Sequence, residues 1–76
     1  MNPRPSGAQL AAARELLGWS TSTVGGMIGR TVKTVQAQER HRGSVATADR
    51  LIALYEASGV EFLSDGTVRM KQVAPE

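Results

Sequence analysis

Ser6, Ser20 and Thr31 each head a short segment with apolar residues at helical spacing, and Gly18 and Gly29 close the first two of these segments. A hydroxyl that accepts from first-turn N–H groups starts a helix, and a glycine in the left-handed conformation ends one. Punctuation this dense confines the first half of the chain to short helices, which must be stabilised by packing on one another.

Ser6 and Gln9 have capping-box spacing, which predicts a helix starting at Gly7 or Ala8 and running through QLAAARELL, with Leu10, Ala13 and Leu17 on one face. Ser20 predicts a second helix over Thr21 to Ile28, with Val24 and Ile28 facing inward. Gly25 and Gly26 each cost that helix about 1 kcal/mol relative to alanine, so its stability has to come from tertiary contacts. Thr31 predicts a third helix over Val32 to Arg40 with Val35 in the core. Two short helices joined through Gly29 form a helix-turn-helix signature. Arg42 to Val45 reads as a loop, and Thr47 as the cap of a fourth helix, ADRLIALYEA, with Leu51, Ile52, Leu54 and Tyr55 as inward candidates and Ser58 and Gly59 at its end. The pattern then becomes extended: VEFL and TVRMK flank Ser64-Asp65-Gly66, a hairpin signal. The expected fold is mainly α with a C-terminal β-hairpin. It divides into a flexible arm (1–5), a helical domain (6–58), the hairpin (59–71) and a tail (72–76).

Charge is concentrated in one place. Arg30 to Arg42 (RTVKTVQAQERHR) holds four of the nine Lys/Arg and one of the seven acids, so this segment is +3 while the remainder, with five bases and six acids, is −1. A short cationic helix running into a basic turn suits a groove lined by phosphates, with Arg30, Arg40, His41 and Arg42 as candidate phosphate contacts. Other classes are disfavoured. The chain has no Cys and one His, which argues against a disulfide framework, a thiol nucleophile and a metal site, and no cofactor is expected. One His and seven scattered acids make no catalytic constellation, so an enzyme is not expected. With no signal-peptide pattern and no apolar run long enough to span a bilayer, no membrane association is expected and the compartment should be cytoplasmic. Trp19, lying alone between two helices, reads as a packing residue rather than a platform for stacked bases.

Gln9 to Glu39, QLAAARELLGWSTSTVGGMIGRTVKTVQAQE, resembles the XRE family of helix-turn-helix proteins, the type found in phage Cro proteins and repressors. The likeness rests on Arg14, the Leu-Gly-Trp-Ser link, Gly25, Gly29, Thr31, Val35 and Glu39, in that order and spacing. It implies a four-helix Cro/repressor-like domain and a transcription regulator, most simply a homodimeric repressor that binds a palindromic operator in double-stranded DNA. It further implies a salt bridge between Arg14 and Glu39, and a close helix crossing at Gly25.

By the same resemblance the third helix lies in the major groove with Val32, Lys33, Gln36 and Ala37 at the base edges. Lys33 can donate to guanine, Gln36 can pair with adenine, and Val32 and Ala37 can touch thymine methyls. Thr21 and Ser22 match a phosphate grip at the start of the second helix. Ser20, Thr31, Thr34 and Ser44 join Arg30, Arg40, His41 and Arg42 as backbone contacts, with His41 as a hydrogen-bond donor. Two positions depart from the family pattern. Arg30 replaces an apolar residue and Gln38 replaces a Leu or Trp, so both are expected half exposed, Arg30 on the DNA backbone and Gln38 on the following loop or a partner chain.

One recognition helix discriminates weakly, because a wrong base pair costs only roughly 1–3 kcal/mol. A two-fold dimer is therefore expected, with Leu54, Tyr55, Phe62, Val68 and Met70 as its interface. The alternative is an antitoxin-like interaction module that autoregulates through the same DNA-binding domain while its C-terminal segment neutralises a protein partner. RNA binding ranks third.

Overall fold

The structure, a computed structural model, describes residues 4–71. Four helices, α1 (Gly7–Leu16), α2 (Thr21–Ile28), α3 (Val32–Glu39) and α4 (Val45–Ala57), precede strands β1 (Val60–Phe62) and β2 (Val68–Met70). The caps act where the sequence places them for the first three helices. Ser6 Oγ accepts from the Gln9 N–H at 3.1 Å while Gln9 Oε1 accepts from the Ser6 N–H at 2.9 Å, completing a capping box. Ser20 and Thr31 accept from Thr23 and Thr34 N–H groups in the same way. Gly29, at φ 70°, turns the chain sharply enough for the Arg30 N–H to reach the Gly25 carbonyl at 2.8 Å. α1 ends at Leu16 and α3 at Glu39, each one residue before the expected limit.

The start of α4 corrects the sequence reading. Ser44, expected in a loop and on DNA, is the N-cap, and the helix begins at Val45 rather than after Thr47. Thr47 is instead the third helical residue: its N–H donates to Ser44 Oγ at 3.1 Å and its buried hydroxyl accepts from Ser44 Oγ at 2.9 Å. Two hydroxyls spaced three apart both satisfy a cap pattern, and the earlier one won because it also lets Thr47 turn inward.

Leu10 and Ala13 from α1, Val24 and Ile28 from α2, Val35 from α3, Leu51 and Tyr55 from α4 and Val60 from β1 form one buried cluster. Trp19, Tyr55 and Phe62 make a chain of tilted aromatic pairs, with centroids 6.5 and 6.4 Å apart, that joins the α1–α2 link to the hairpin. Trp19 is thus the packing residue its position suggests. Close backbone approach explains two glycines. A Cβ on Gly25 would lie 2.7 Å from the Arg30 carbonyl oxygen, and one on Gly7 would lie 2.6 Å from those of both Gln38 and Glu39. The exposed Gly26 meets nothing within 4 Å, so packing does not require it.

The hairpin is antiparallel, pairing Val60 with Met70, Glu61 with Arg69 and Phe62 with Val68. In the connecting turn, Asp65 Oδ1 accepts from the Thr67 hydroxyl and N–H, and these bonds hold its carboxyl below the usual carboxylate range. Gln9, 6% exposed, donates from Nε2 to the Leu63 and Thr67 carbonyls at 2.8 and 3.1 Å, which fastens the turn to α1. The hairpin therefore shares the helical core. Of the expected arm, Pro5 is half-buried and Arg4 pairs with Asp49 of α4; residues 1–3 and the tail 72–76 lie outside the described residues. No helix of the described residues is long and apolar enough to cross a membrane.

Gly26→Ala is expected to raise, and Gly25→Ala to lower, the free energy of unfolding in urea, the former by about 0.5–1 kcal/mol. Tyr55 is the one tyrosine, and burial, reinforced by the Glu39 carboxylate against the opposing Arg14, pushes its phenol up to about 12. An unfolded tyrosine ionises near pH 10, so the stability conferred by the neutral phenol is complete below about pH 10 and lost as pH rises towards 12. Ultraviolet titration should give a midpoint near the higher value for folded protein and near 10 in denaturant.

Candidate nucleic-acid interface

α3 divides cleanly into two faces. Val35 and Gln38 are buried, whereas Val32, Lys33 and Gln36 are exposed and Ala37 is half-buried at the margin, so the four residues assigned to bases share the outer side of one short helix. Arg30 stands exposed before this helix, with Nη1 donating to the Gly29 carbonyl at 3.1 Å, and Arg40 and Arg42 stand exposed after it. Among the described residues no acid pairs with Arg30, Lys33, Arg40 or Arg42.

The segment's one acid faces the other way. Glu39 accepts from Arg14 Nε at 2.7 Å and Nη2 at 3.1 Å, while Arg14 Nη1 donates to the Trp19 carbonyl at 3.0 Å. The side chains are 12% and 16% exposed. The hydrogen bond to Glu39 raises the Arg14 pKa above its usual value against the opposing effect of burial. This bidentate pair ties α3 to α1 and to the link before α2, as the resemblance implies. It also removes the negative charge from the outer face, which therefore carries four bases and no acid.

Hydroxyls divide into engaged and open groups. Ser20 and Thr31 accept first-turn N–H groups and are hydrogen-bonded to the hydroxyls of Thr23 and Thr34, and Ser44 is bonded to Thr47, so these expected backbone contacts are primarily caps. Thr21 and Ser22 occupy the first two positions of α2, where N–H groups lie outside the helical hydrogen-bond ladder. Ser22 is exposed and Thr21 half-buried. Helix-end N–H groups and hydroxyls of this kind bind phosphate without a formal charge.

The turn leaving α3 differs most from expectation. Gln38 is 6% exposed rather than half exposed, and its Nε2 donates to the Ser44 carbonyl at 2.8 Å; of the two expected partners it takes the following loop. Its side chain fills the space where a Cβ on Gly43 would project, so a side chain there would displace Gln38. His41 has φ 62°, in the left-handed region that a non-glycine residue seldom adopts. The Arg42 N–H reaches the Ala37 carbonyl at 2.7 Å and the His41 N–H that of Gln38 at 3.0 Å, the bond pattern of a Schellman turn. His41 Nδ1 accepts from the Gly7 N–H at 3.3 Å, so this nitrogen is engaged at the start of α1, and the imidazole's donor is its Nε2–H.

The residues assigned to a dimer interface are mostly used within the chain. Tyr55 is wholly buried and cannot contact a partner, and Leu54, Phe62 and Val68 are half-buried against the core; Met70 is 42% exposed. The alternation of the hairpin explains this, since Val60, Phe62, Val68 and Met70 share the face turned towards the helices while the Glu61–Arg69 ion pair occupies the other. β2 pairs with β1 along one edge, and α1 also packs against it. Hydrogen bonds between Leu63 and Thr67 and between Lys71 and Gly59 place the main-chain groups of Val68 and Met70 on the side away from β1.

No family model, curated protein or solved structure matches this chain. The residues and their geometry therefore carry the reading of the site. Removing one partner from the buried pair leaves the other charge uncompensated, so Arg14→Met is expected to cost about 2–4 kcal/mol in chemical denaturation. Combining it with Glu39→Leu should cost less than the two single losses added together; a double loss equal to that sum would mean that the pair contributes no coupling.

Proposed function

We propose that this chain is a sequence-specific double-stranded DNA-binding regulator of the XRE type, a homodimeric repressor that reads an inverted repeat through α3. The observation that carries this reading is the outer face of α3: four exposed or marginal side chains of base-reading chemistry, flanked by Arg30, Arg40 and Arg42, with the sole local acid withdrawn to Arg14. A surface with four bases and no acid attracts a polyanion at any sequence, and the short side chains between them set the preference among sequences.

In this account Lys33 donates to a guanine edge, Gln36 pairs with adenine, and Val32 and Ala37 line thymine methyls. Arg30, Arg40 and Arg42, with the first turn of α2 at Thr21 and Ser22, hold phosphates. The second copy docks along the edge of β2 not paired with β1, where main-chain groups at Val68 and Met70 can pair antiparallel with their symmetry mates and the exposed Met70 adds apolar area. Bound across a promoter, such a dimer represses by occlusion.

Affinity for mixed-sequence duplex should fall steeply between about 50 and 200 mM salt. Arg42→Ala should weaken binding on all sequences alike and reduce the magnitude of the log–log salt slope by about 0.9, the loss of one phosphate contact. Lys33→Ala should in addition flatten the preference among duplexes. Binding that is insensitive to salt, or an unchanged slope in Arg42→Ala, contradicts the assignment.

A further inference from the structure

The turn after α3 is attached to the first turn of α1 through contacts that sequence reading does not provide. Gly7 brings its backbone against the carbonyls of Gln38 and Glu39 so closely that a Cβ would stand 2.6 Å from each oxygen. Its N–H, the first of the orphan donors of α1, points to His41 Nδ1 at 3.3 Å. Ser6 caps only the Gln9 N–H, so His41 supplies α1 with a second cap from a residue 34 positions away. His41 reaches it because the residue sits at φ 62° inside the Schellman turn, between Arg40 and Arg42.

We infer that His41 is a positioning residue: by accepting the Gly7 N–H it fixes the basic turn on α1 and presents Arg40 and Arg42 in a preset arrangement, without contacting DNA itself. The inference rests on the DNA-binding reading above. The physical case is entropic. Arg40 and Arg42 lie in a short exposed turn, and cations held in place before binding lose less conformational freedom on meeting phosphates than cations on a free loop. A left-handed non-glycine residue is costly and persists where surrounding bonds over-determine it, as the Gly7 contact and the two turn bonds do here.

The chemistry of the side chain gives a clean separation. Asparagine places Oδ1 at the same bond depth as imidazole Nδ1 and tolerates the left-handed conformation, but has no atom equivalent to Nε2. His41→Asn therefore keeps the cap and deletes any contact made by the far side of the ring. His41→Lys offers donors and a charge but no acceptor, and His41→Gly fits the backbone with neither. Amide hydrogen exchange at Gly7, followed by NMR, reads the cap in the protein alone, and duplex affinity across a salt series reads the positioning. The expected result is slow Gly7 exchange and unchanged affinity and salt slope in His41→Asn. In His41→Gly and His41→Lys, Gly7 should exchange faster and affinity should fall by up to roughly five-fold, the equivalent of one typical N-cap.

Full affinity in His41→Lys, with weaker binding and a shallower slope in His41→Asn, would overturn the inference and make the imidazole a phosphate donor. Gly7 exchange unaffected in all three variants would overturn it at the level of the cap. A wild-type chain that binds no duplex removes the functional reading and the positioning role with it, whereas the Gly7 measurement still decides whether His41 caps α1.

Discussion

The C-terminal end of α3 is fastened to α1, and the character of the outer surface depends on that junction. Arg14 and Glu39 join the two helices through two hydrogen bonds at 12–16% exposure, where desolvation offsets much of their Coulomb attraction and the gain is chiefly geometric. The pair fixes the helix axis, brings the Trp19 carbonyl into the same network and withdraws the one acid of the basic segment from solvent. Gly7 permits the approach by having no Cβ, and Gln38 closes the far side by bonding to the Ser44 carbonyl. Without these contacts, an eight-residue helix lacking strong helix formers at Thr34 and Val35 would have little reason to hold one orientation.

The small core is extended by polar tethers rather than by additional apolar residues. Gln9 is both half of a capping box and the clamp on the hairpin turn, so one side chain connects the start of α1 to residues more than fifty positions later. The aromatic series Trp19, Tyr55 and Phe62 crosses the core in the same direction. Tyr55 has a cost within this arrangement: its hydroxyl is buried without a hydrogen-bond partner among the described residues, beside the charges of Arg14 and Glu39. The ring fills core volume and packs against two aromatic neighbours.

Local features were legible in the sequence because their causes are local. Ser6 with Gln9, Ser20, Thr31 and the turn at Gly29 act through residues within four positions, and their helices begin where those residues dictate. Val24, Ile28 and Val35 were placed inward by spacing alone, and the hairpin by its turn. Ser44 and Thr47 show the limit of that reasoning, since either hydroxyl fits a cap and only the burial of Thr47 decides between them. The Arg14–Glu39 pair came from family resemblance and is present in the structure. The features that sequence does not encode locally are long-range: Gly7 against α3, the inward turn of Gln38, and the bond from the Gly7 N–H to the exposed His41. Helical spacing turns Tyr55 inward, and its complete burial excludes the interface position that is also expected for it.

The role proposed for the exposed face of α3, freed of negative charge by the Arg14–Glu39 pair, is to read base sequence in a groove of duplex DNA. Selection of bound fragments from a random duplex library tests it most directly. The expected outcome is enrichment of a short motif present twice in inverted orientation, with half-sites about one helical turn apart and a preference that shifts when Lys33 or Gln36 is replaced. Recovery of unenriched sequence at moderate salt, or a motif unchanged by those replacements, would contradict it.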